Sequence, residues 1–275
     1  MHATSRRVLP GFGISLSYTV LYMSLLAMIP LAACFAKAFT LEPAKFWAAV
    51  STPNAIAAYK FTLGASLASS VISLLLGGLV AWVLVRYEFP FKRIFDSLID
   101  LPFALPTAVA GLVYSALYVK TGWLGQYLVP LGFHGAYSRT AVVLVLTFLG
   151  IPFVVRTLQP VLETLDADTE EAAYLLGANR WQTFCRIIIP TLLPALITGF
   201  ALALARGLGE YGSIVFVSGN IPGKTQIAAV LIVEKLESNR IAEAAAIAVV
   251  LLAMSFTLLV LINLLERWSR GHYAD

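Results

Sequence analysis

The sequence predicts an all-α, polytopic membrane helix bundle with about six transmembrane helices, forming a single domain over residues 1–275. Of its 275 residues, 59% are hydrophobic and only 12% are charged. The mean hydropathy is +0.84, whereas a soluble domain usually carries about twice this share of charge. Several uncharged runs reach the ~20 residues that a helix needs to cross a bilayer core. The alternating segments of ~10 residues that are typical of membrane β-barrels do not occur.

The apolar runs predict the spans in chain order. The first run, 13–36, follows two arginines but is too long for the core of a signal peptide, so we expect it to be retained as a span. The second span is predicted at 61–85. The third, 101–119, begins with Pro102 and Pro106, which either kink the helix or break it so that it lines a passage.

The remaining spans are predicted at 140–158, 190–217 and 242–265. The fifth is longer than one straight crossing needs, and three glycines near residue 209 predict a bend in it. If the termini are cytoplasmic, ten Lys and Arg residues lie at the cytoplasmic ends of the spans and eight lie in the outer loops. This small excess weakly favours that orientation. This basic charge reflects topology beside membrane lipid, so nucleic acid is not expected as a partner.

The segment 163–190, between the fourth and fifth spans, is unusually polar. Small and apolar residues recur there at spacings of three or four, which predicts one stripe along a short helix: Ala173, Leu176, Gly177, Arg180, Trp181 and Phe184. Helices that lie on lipid are usually rich in Lys and Arg, but this one begins with acidic residues, which an anionic leaflet would repel. A protein partner is the better interpretation.

This segment, "EEAAYLLGANRWQTFCRIIIP", resembles the EAA signature of permease subunits of bacterial ABC importers. Matching positions at the family spacing are Glu171, Ala172, Ala173, Gly177, Ile187 and Pro190, while Ile189 replaces the usual Leu. The resemblance implies the type I (MetI-like) importer fold and a cytoplasmic coupling helix that includes Glu170. It also implies that this helix seats on a separate ATP-binding subunit.

Nearly the whole chain resembles the sulfate/thiosulfate importer permeases, including "RYEFPFKRIFDSLIDLPFALPTAVAGL" and "GLGEYGSIVFVSGNIPGKTQ". The resemblance implies a homologous second permease, two cytoplasmic ATP-binding subunits and a periplasmic sulfate/thiosulfate-binding protein. Molybdate permeases share parts of these stretches, so import of molybdate or tungstate is the alternative. Gly223 to Thr225 lack the glycine five residues earlier that a phosphate loop needs. We therefore expect no cofactor in this chain, with ATP and Mg²⁺ bound by the partner ATPase.

Two charged residues are expected inside the fifth span, where charge is costly and usually functional. Arg206 lies sixteen residues after Pro190, which places it roughly 24 Å above the cytoplasmic end, and Glu210 follows four residues later. They form either an ion pair that merely closes the bundle or a gate in which Arg206 offers two donors to an oxyanion. Together with Pro102 and Pro106 they are the candidate residues of the translocation path.

Catalytic and metal sites are not expected. An intramembrane enzyme would need a nucleophile with a histidine, or paired aspartates, at membrane depth. No histidine falls in a predicted span, and Asp100 has no obvious second aspartate at the same depth. A passive anion channel is a further alternative, which the coupling-helix resemblance disfavours.

Overall fold

The computed structural model describes residues 12–165 and 167–272, with the side chains of 167–168 and 267–272 outside the description. The chain termini, which we expect in the cytoplasm, fall outside or at the edge of these ranges. The described residues form helices and no strand. Five regions are long and apolar enough to cross a membrane: Phe12–Ala38, Pro53–Arg86, Arg139–Glu163, Arg180–Leu208 and Ile241–Glu266. The prediction of an all-α polytopic bundle is confirmed.

The long helices are α1 (Phe12–Ala38), α3 (Pro53–Arg86), α8 (Arg139–Glu163), α11 (Ile189–Leu208) and α14 (Ile241–His272). Shorter helices connect them: α2 (Pro43–Val50), α4 (Lys92–Ile99), α5 (Leu101–Ala104), α6 (Thr107–Tyr118), α7 (Gly125–Leu128), α9 (Ala167–Leu175), α10 (Arg180–Thr183), α12 (Ile214–Val217) and α13 (Ala228–Glu237). A π-helical turn, Phe184–Ile188, joins α10 to α11.

Helices α3, α8 and α11 form the centre of the bundle, and small residues let their backbones approach closely. A Cβ atom added to Gly77 of α3 would lie 2.9 Å from Val154 Cβ of α8. One added to Gly199 of α11 would lie 2.6 Å from the hydroxyl of Thr157. Close packing of this kind holds membrane helices together, because lipid gives them no hydrophobic reason to associate.

The outer helices attach more loosely to this centre. Helix α1 packs against α14, and none of the side chains in its apolar window is buried in the isolated chain. Helix α14 also contacts α2 and α13. Thr62 Oγ1 of α3 accepts a hydrogen bond from the backbone N–H of Ala228, at 2.9 Å, which fixes the start of α13 against the central helices.

The third predicted span, 101–119, is not one helix. Helix α5 ends at Ala104, Leu105 is extended, and Pro106 precedes the first residue of α6. Proline disfavours the helical conformation in the residue before it, which explains the extended Leu105. The chain is thus broken here rather than kinked, and the lining of a passage by this segment stays a prediction.

This broken segment must nevertheless cross the membrane. The end of α3 and the segment after α8 lie on the same side, because Arg86 pairs with Glu170. Helix α8 ends on that side too, and its 25 residues span about 37 Å, so it begins on the opposite side. Residues 87–138 therefore pass from one face to the other, and the six crossings consist of five long helices and one broken segment.

The fifth predicted span, 190–217, also ends early. Helix α11 stops at Leu208, Gly209 follows it, and the chain turns before the short helix α12 begins at Ile214. The predicted bend near the glycines is a helix end. Glycine is needed in this turn for close packing as well as for backbone freedom, since a Cβ on Gly212 would lie 2.3 Å from the hydroxyl of Thr107.

Candidate functional site

Residues 163–190, which we call the coupling segment after the resemblance, contain two short helices instead of the single one that their apolar spacing predicts. Helix α9 ends in a Schellman motif, in which Gly177 N donates to Tyr174 O at 2.9 Å and Ala178 N donates to Ala173 O at 3.0 Å. Gly177 has φ +83°, a left-handed conformation that most residues avoid. The prediction of one continuous stripe from Ala173 to Phe184 is therefore wrong, because the helix ends at Gly177 and a second helix begins after it.

The second helix of the segment starts with a reciprocal cap. Asn179 Oδ1 accepts from Gln182 N at 2.8 Å, and Gln182 Oε1 accepts from Asn179 N at 2.9 Å. The helix then widens into the π turn before Pro190, where Ile189 N donates to Phe184 O. Pro190 has no N–H to give, and its ring would clash with a carbonyl four residues earlier, so a widened turn relieves both problems.

One end of the segment is fastened to α3. Arg86 Nη2 donates to Glu170 Oε1 at 2.5 Å, and the Arg86 guanidinium lies 5.4 Å from the centre of the Trp82 ring. Trp82 in turn meets Phe184 edge to face, at 5.9 Å between ring centres. Glu170, which the resemblance places in the coupling helix, thus binds this chain's own α3.

The segment also has an open surface. Glu171 and Ala172 are exposed, whereas Ala173 is buried. Next to them lie large apolar side chains that expose most of their surface: Tyr174 77%, Leu175 84%, Leu176 89% and Trp181 72%. A patch of this kind with an acidic residue beside it is typical of a surface that docks on another protein.

Arg206 and Glu210 form the ion pair that their spacing predicts. Arg206 Nη1 lies 2.6 Å from Glu210 Oε2, and the Glu210 side chain is only 2% exposed whereas 32% of the Arg206 side chain is exposed. Glu210 Oε1 accepts two further hydrogen bonds, from Ser213 N at 2.8 Å and Ser213 Oγ at 3.0 Å. The pair therefore closes the turn after α11, with Glu210 beyond the end of the helix that carries Arg206.

The structure brings this turn next to one of the two predicted prolines. Pro106 immediately precedes Thr107, whose hydroxyl abuts Gly212. A Cβ on Gly111 of α6 would lie 2.3 Å from Ser213 O, so α6 and the turn after α11 are in backbone contact. Pro102 lies elsewhere, buried in α5 at an apolar cleft between α3 and α8 that Phe95 and Ile151 also line.

Arg156 organises a charged cluster that the sequence analysis missed. Its Nε and Nη2 donate to the two carboxylate oxygens of Asp100 at 2.8 and 2.6 Å, and its Nη1 donates to Asp96 Oδ1 at 2.7 Å. Gln159 Nε2 also donates to Asp96, at 3.1 Å. Arg156 thus joins Asp100 to a second aspartate, Asp96. The four-residue spacing of the two aspartates was the available signal.

This cluster joins α4 to α8 on the side of the membrane where Arg86 meets Glu170. Burial alone would raise the pKa of Asp96, but hydrogen bonds from Arg156 and Gln159 and the nearby positive charges outweigh it, so the pKa lies below its usual value of 3.8. The aspartates face an arginine rather than each other, which suits a structural tie and not an acid–base pair. Among the described residues no group of three His, Cys, Asp or Glu side chains could hold a metal ion.

The chain is similar to known transport proteins over most of its length. Residues 73–271 match the family described as binding-protein-dependent transport system inner membrane component. The sulfate transport system permease protein CysT of Synechocystis sp. is 47% identical over 257 residues, which cover 94% of this chain and 90% of that protein. The protein of the same name from Escherichia coli K12 is 43% identical over 273 residues, covering 98% and 99%.

Solved structures show the same fold at low sequence identity. A bacterial ABC transporter that imports alginate matches with a TM-score of 0.73 at 18% identity, covering 92% of this chain and 94% of the other. The inward-facing MetNI methionine ABC transporter matches with a TM-score of 0.57 at 17% identity, covering 84% and 99%. This chain is a multi-pass inner-membrane protein, and it belongs to the family of inner-membrane components of binding-protein-dependent transport systems.

Proposed function

We propose that this chain is the permease subunit of an ATP-driven importer for sulfate or thiosulfate, working by alternating access. The observation that carries the proposal is the open surface of the coupling segment. There Glu171 and four large apolar side chains are exposed and available for contact with another protein: Tyr174, Leu175, Leu176 and Trp181. As a membrane component of a binding-protein-dependent system, the chain works with an ATPase and a binding protein. The names of its relatives supply the substrate, and molybdate or tungstate is the alternative.

The proposed assembly has four kinds of parts. This chain, as one permease domain over residues 1–275, pairs with a second homologous permease, and two ATP-binding subunits dock on segment 163–190 and its counterpart. Those subunits bind ATP and Mg²⁺, and a periplasmic sulfate/thiosulfate-binding protein docks on the outer face. Within the membrane, the path runs past Arg206, Glu210 and Pro106. Pro102 marks the inner part of the same broken crossing.

Reconstitution of the complete complex into vesicles tests the proposed substrate. With ATP and its binding protein present, the complex should accumulate radiolabelled sulfate and thiosulfate. A version whose ATPase cannot hydrolyse ATP should accumulate neither anion. Accumulation of molybdate in preference to sulfate would favour the alternative, and accumulation without ATP would point to a passive channel.

Gly177→Asp is expected to uncouple ATP hydrolysis from uptake while the protein inserts normally. No described atom outside the immediate neighbours lies within 4 Å of the Cβ position, and aspartate adopts left-handed backbone more readily than most residues. The new carboxylate would instead obstruct the docking face. Uptake per ATP hydrolysed is the measurement, and Gly177→Asn, which has the same shape without the charge, is the control. Unchanged uptake at normal expression would rule out this role for Gly177.

Glu171→Lys is expected to weaken assembly with the ATPase by roughly tenfold or more, the scale of losing one charged contact at an interface. The described contacts give the exposed Glu171 carboxylate no ion-pair partner within this chain, so the protein itself should stay stable. Co-purification in detergent measures the loss, and an acidic substitution on the ATPase should restore binding. Glu237→Lys, at an exposed acid outside the docking segment, is the matched control. Normal assembly of the Glu171 variant would refute the proposed contact.

A further inference from the structure

A basic pocket lies at the outer end of the bundle, far from the coupling segment. It has a volume of about 440 Å³ and is lined by Lys60, Phe61, Arg139, Gly223 and small residues of α3. Lys60 lies 26 residues before Arg86 on α3, which separates them by about 39 Å, more than the ~30 Å thickness of the hydrocarbon core. Arg139 is the first residue of α8, at the same outer level.

The arginine of this pocket is held in place without being neutralised. Arg139 Nε donates to the backbone oxygen of Lys224 at 2.8 Å, and the guanidinium lies 5.8 Å from the centre of the Phe61 ring. Both contacts orient the group, and neither supplies a negative charge. The described contacts engage only Nε, so the two Nη groups keep their donors for another acceptor.

The charge of the pocket is uncompensated within the described part of the chain. None of its lining residues is acidic, and neither Lys60 nor Arg139 forms an ion pair with a described carboxylate. Other arginines have such partners: Arg86 pairs with Glu170, Arg156 with two aspartates, and Arg206 with Glu210. Two cations that share a recess without a carboxylate repel each other, and a bound anion relieves that repulsion.

We propose that this pocket is the outer receiving site for the transported oxyanion, an inference that rests on the proposed function. A guanidinium offers paired, coplanar donors that match two oxygens of a tetrahedral anion, and the Lys60 ammonium balances the second negative charge. The pocket is partly solvated and built from few donors, so it holds the anion weakly. Weak binding suits a site that must pass its ligand on. The small side chains of Ala57, Gly64 and Ala65 leave room for the anion beside the two cations.

Lys60→Gln in the reconstituted complex tests the proposal, because the described lysine has no ion-pair partner whose loss would affect folding. With saturating, sulfate-loaded binding protein, the uptake rate should fall about tenfold, and Lys60→Glu should reduce it further. Arg139→Gln should act in the same direction. Lys120→Gln removes an exposed lysine of another outer loop and should leave uptake unchanged.

The concentration of loaded binding protein that half-maximally stimulates ATP hydrolysis separates an anion site from a protein-docking site. We expect this concentration to stay the same in Lys60→Gln while uptake falls. A higher value, with uptake restored by more binding protein, would overturn the proposal and make the pocket a docking surface. Uptake equal to that of Lys120→Gln would also overturn it. If the wild-type complex imports molybdate but not sulfate, the proposed substrate fails, and the same variants are then measured with molybdate.

Discussion

Arg206→Met is expected to destabilise the protein by about 3–5 kcal/mol, the cost of breaking a buried ion pair and leaving one charge behind. Glu210 has almost no access to water, and after the substitution its carboxylate would keep only the two hydrogen bonds from Ser213. Glu210→Gln should be milder, because Arg206 is about one-third exposed and can turn to water. The thermal midpoint in detergent measures both effects.

The double variant Arg206→Met with Glu210→Gln separates structure from transport. Neither charge remains, so folding should recover in either case. If the pair only closes the turn after α11, sulfate uptake in vesicles recovers too. We expect instead that the double variant folds but does not transport, because a dianion needs positive potential at this depth and the Arg206 side chain is about one-third exposed. A stable double variant with full uptake would leave the pair a purely structural role.

Arg240→Met is the matched control for this series. Arg240 also pairs with a glutamate, but it is 59% exposed and lies 3.7 Å from Glu243, which Lys235 holds at 2.9 Å. Exposed pairs contribute about 0–1 kcal/mol. We therefore expect little change in the thermal midpoint, which would show that burial, and not the mere presence of a pair, determines the cost at Arg206.

Arg156→Met is expected to destabilise the protein by about 2 kcal/mol, within the range for hydrogen bonds to charged groups. The substitution leaves Asp96 and Asp100 facing each other without the cation that separates them. Both aspartates are over two-fifths exposed, so water limits the loss to less than that expected at Arg206. Arg156→Lys should not restore stability, because an ammonium cannot replace the two-pronged contact with Asp100.

The pH dependence provides a second measurement of the Arg156 cluster. The pKa of Asp96 lies below its usual value of 3.8 in the folded protein, so its carboxylate stabilises the fold above that pH. As the pH falls below 3.8 toward the lowered value, this contribution is lost. The difference in thermal midpoint between wild type and Arg156→Met should therefore shrink at acid pH. A constant difference would mean that the aspartate charges do not cause the stabilisation.

Apolar runs predicted most of the fold correctly, because a helix in lipid must be long and uncharged. The first, second, fourth and sixth predicted spans all correspond to long helices, although α3 begins at Pro53, eight residues before the predicted start. Apolar runs do not record where backbones touch. The break at Leu105 follows from Pro106, whereas the turn at Gly209 packs against α6 through the contact between Gly111 and Ser213, which lie about a hundred residues apart.

The coupling segment shows the same limit at a smaller scale. The signature residues identified the segment, but their spacing also fitted a continuous helix, and the periodic pattern could not reveal that Gly177 reverses the chain. The role of Glu170 was equally hidden, because its partner Arg86 lies 84 positions away. The helix end at Gly177 is local, since the glycine itself forms the cap, whereas the contact of Glu170 with Arg86 exists only in the folded chain.

The broken third crossing has a consequence for how the protein is made. Helix α6 has 12 residues and covers about 18 Å, well short of the ~30 Å hydrocarbon core. Helix α5 extends the crossing and packs on α8, and α6 is supported by its contact with α12. Both supporting helices are synthesised after the third crossing. This segment therefore leaves the ribosome before it is stable in lipid, and the insertion machinery must retain it until the later helices arrive.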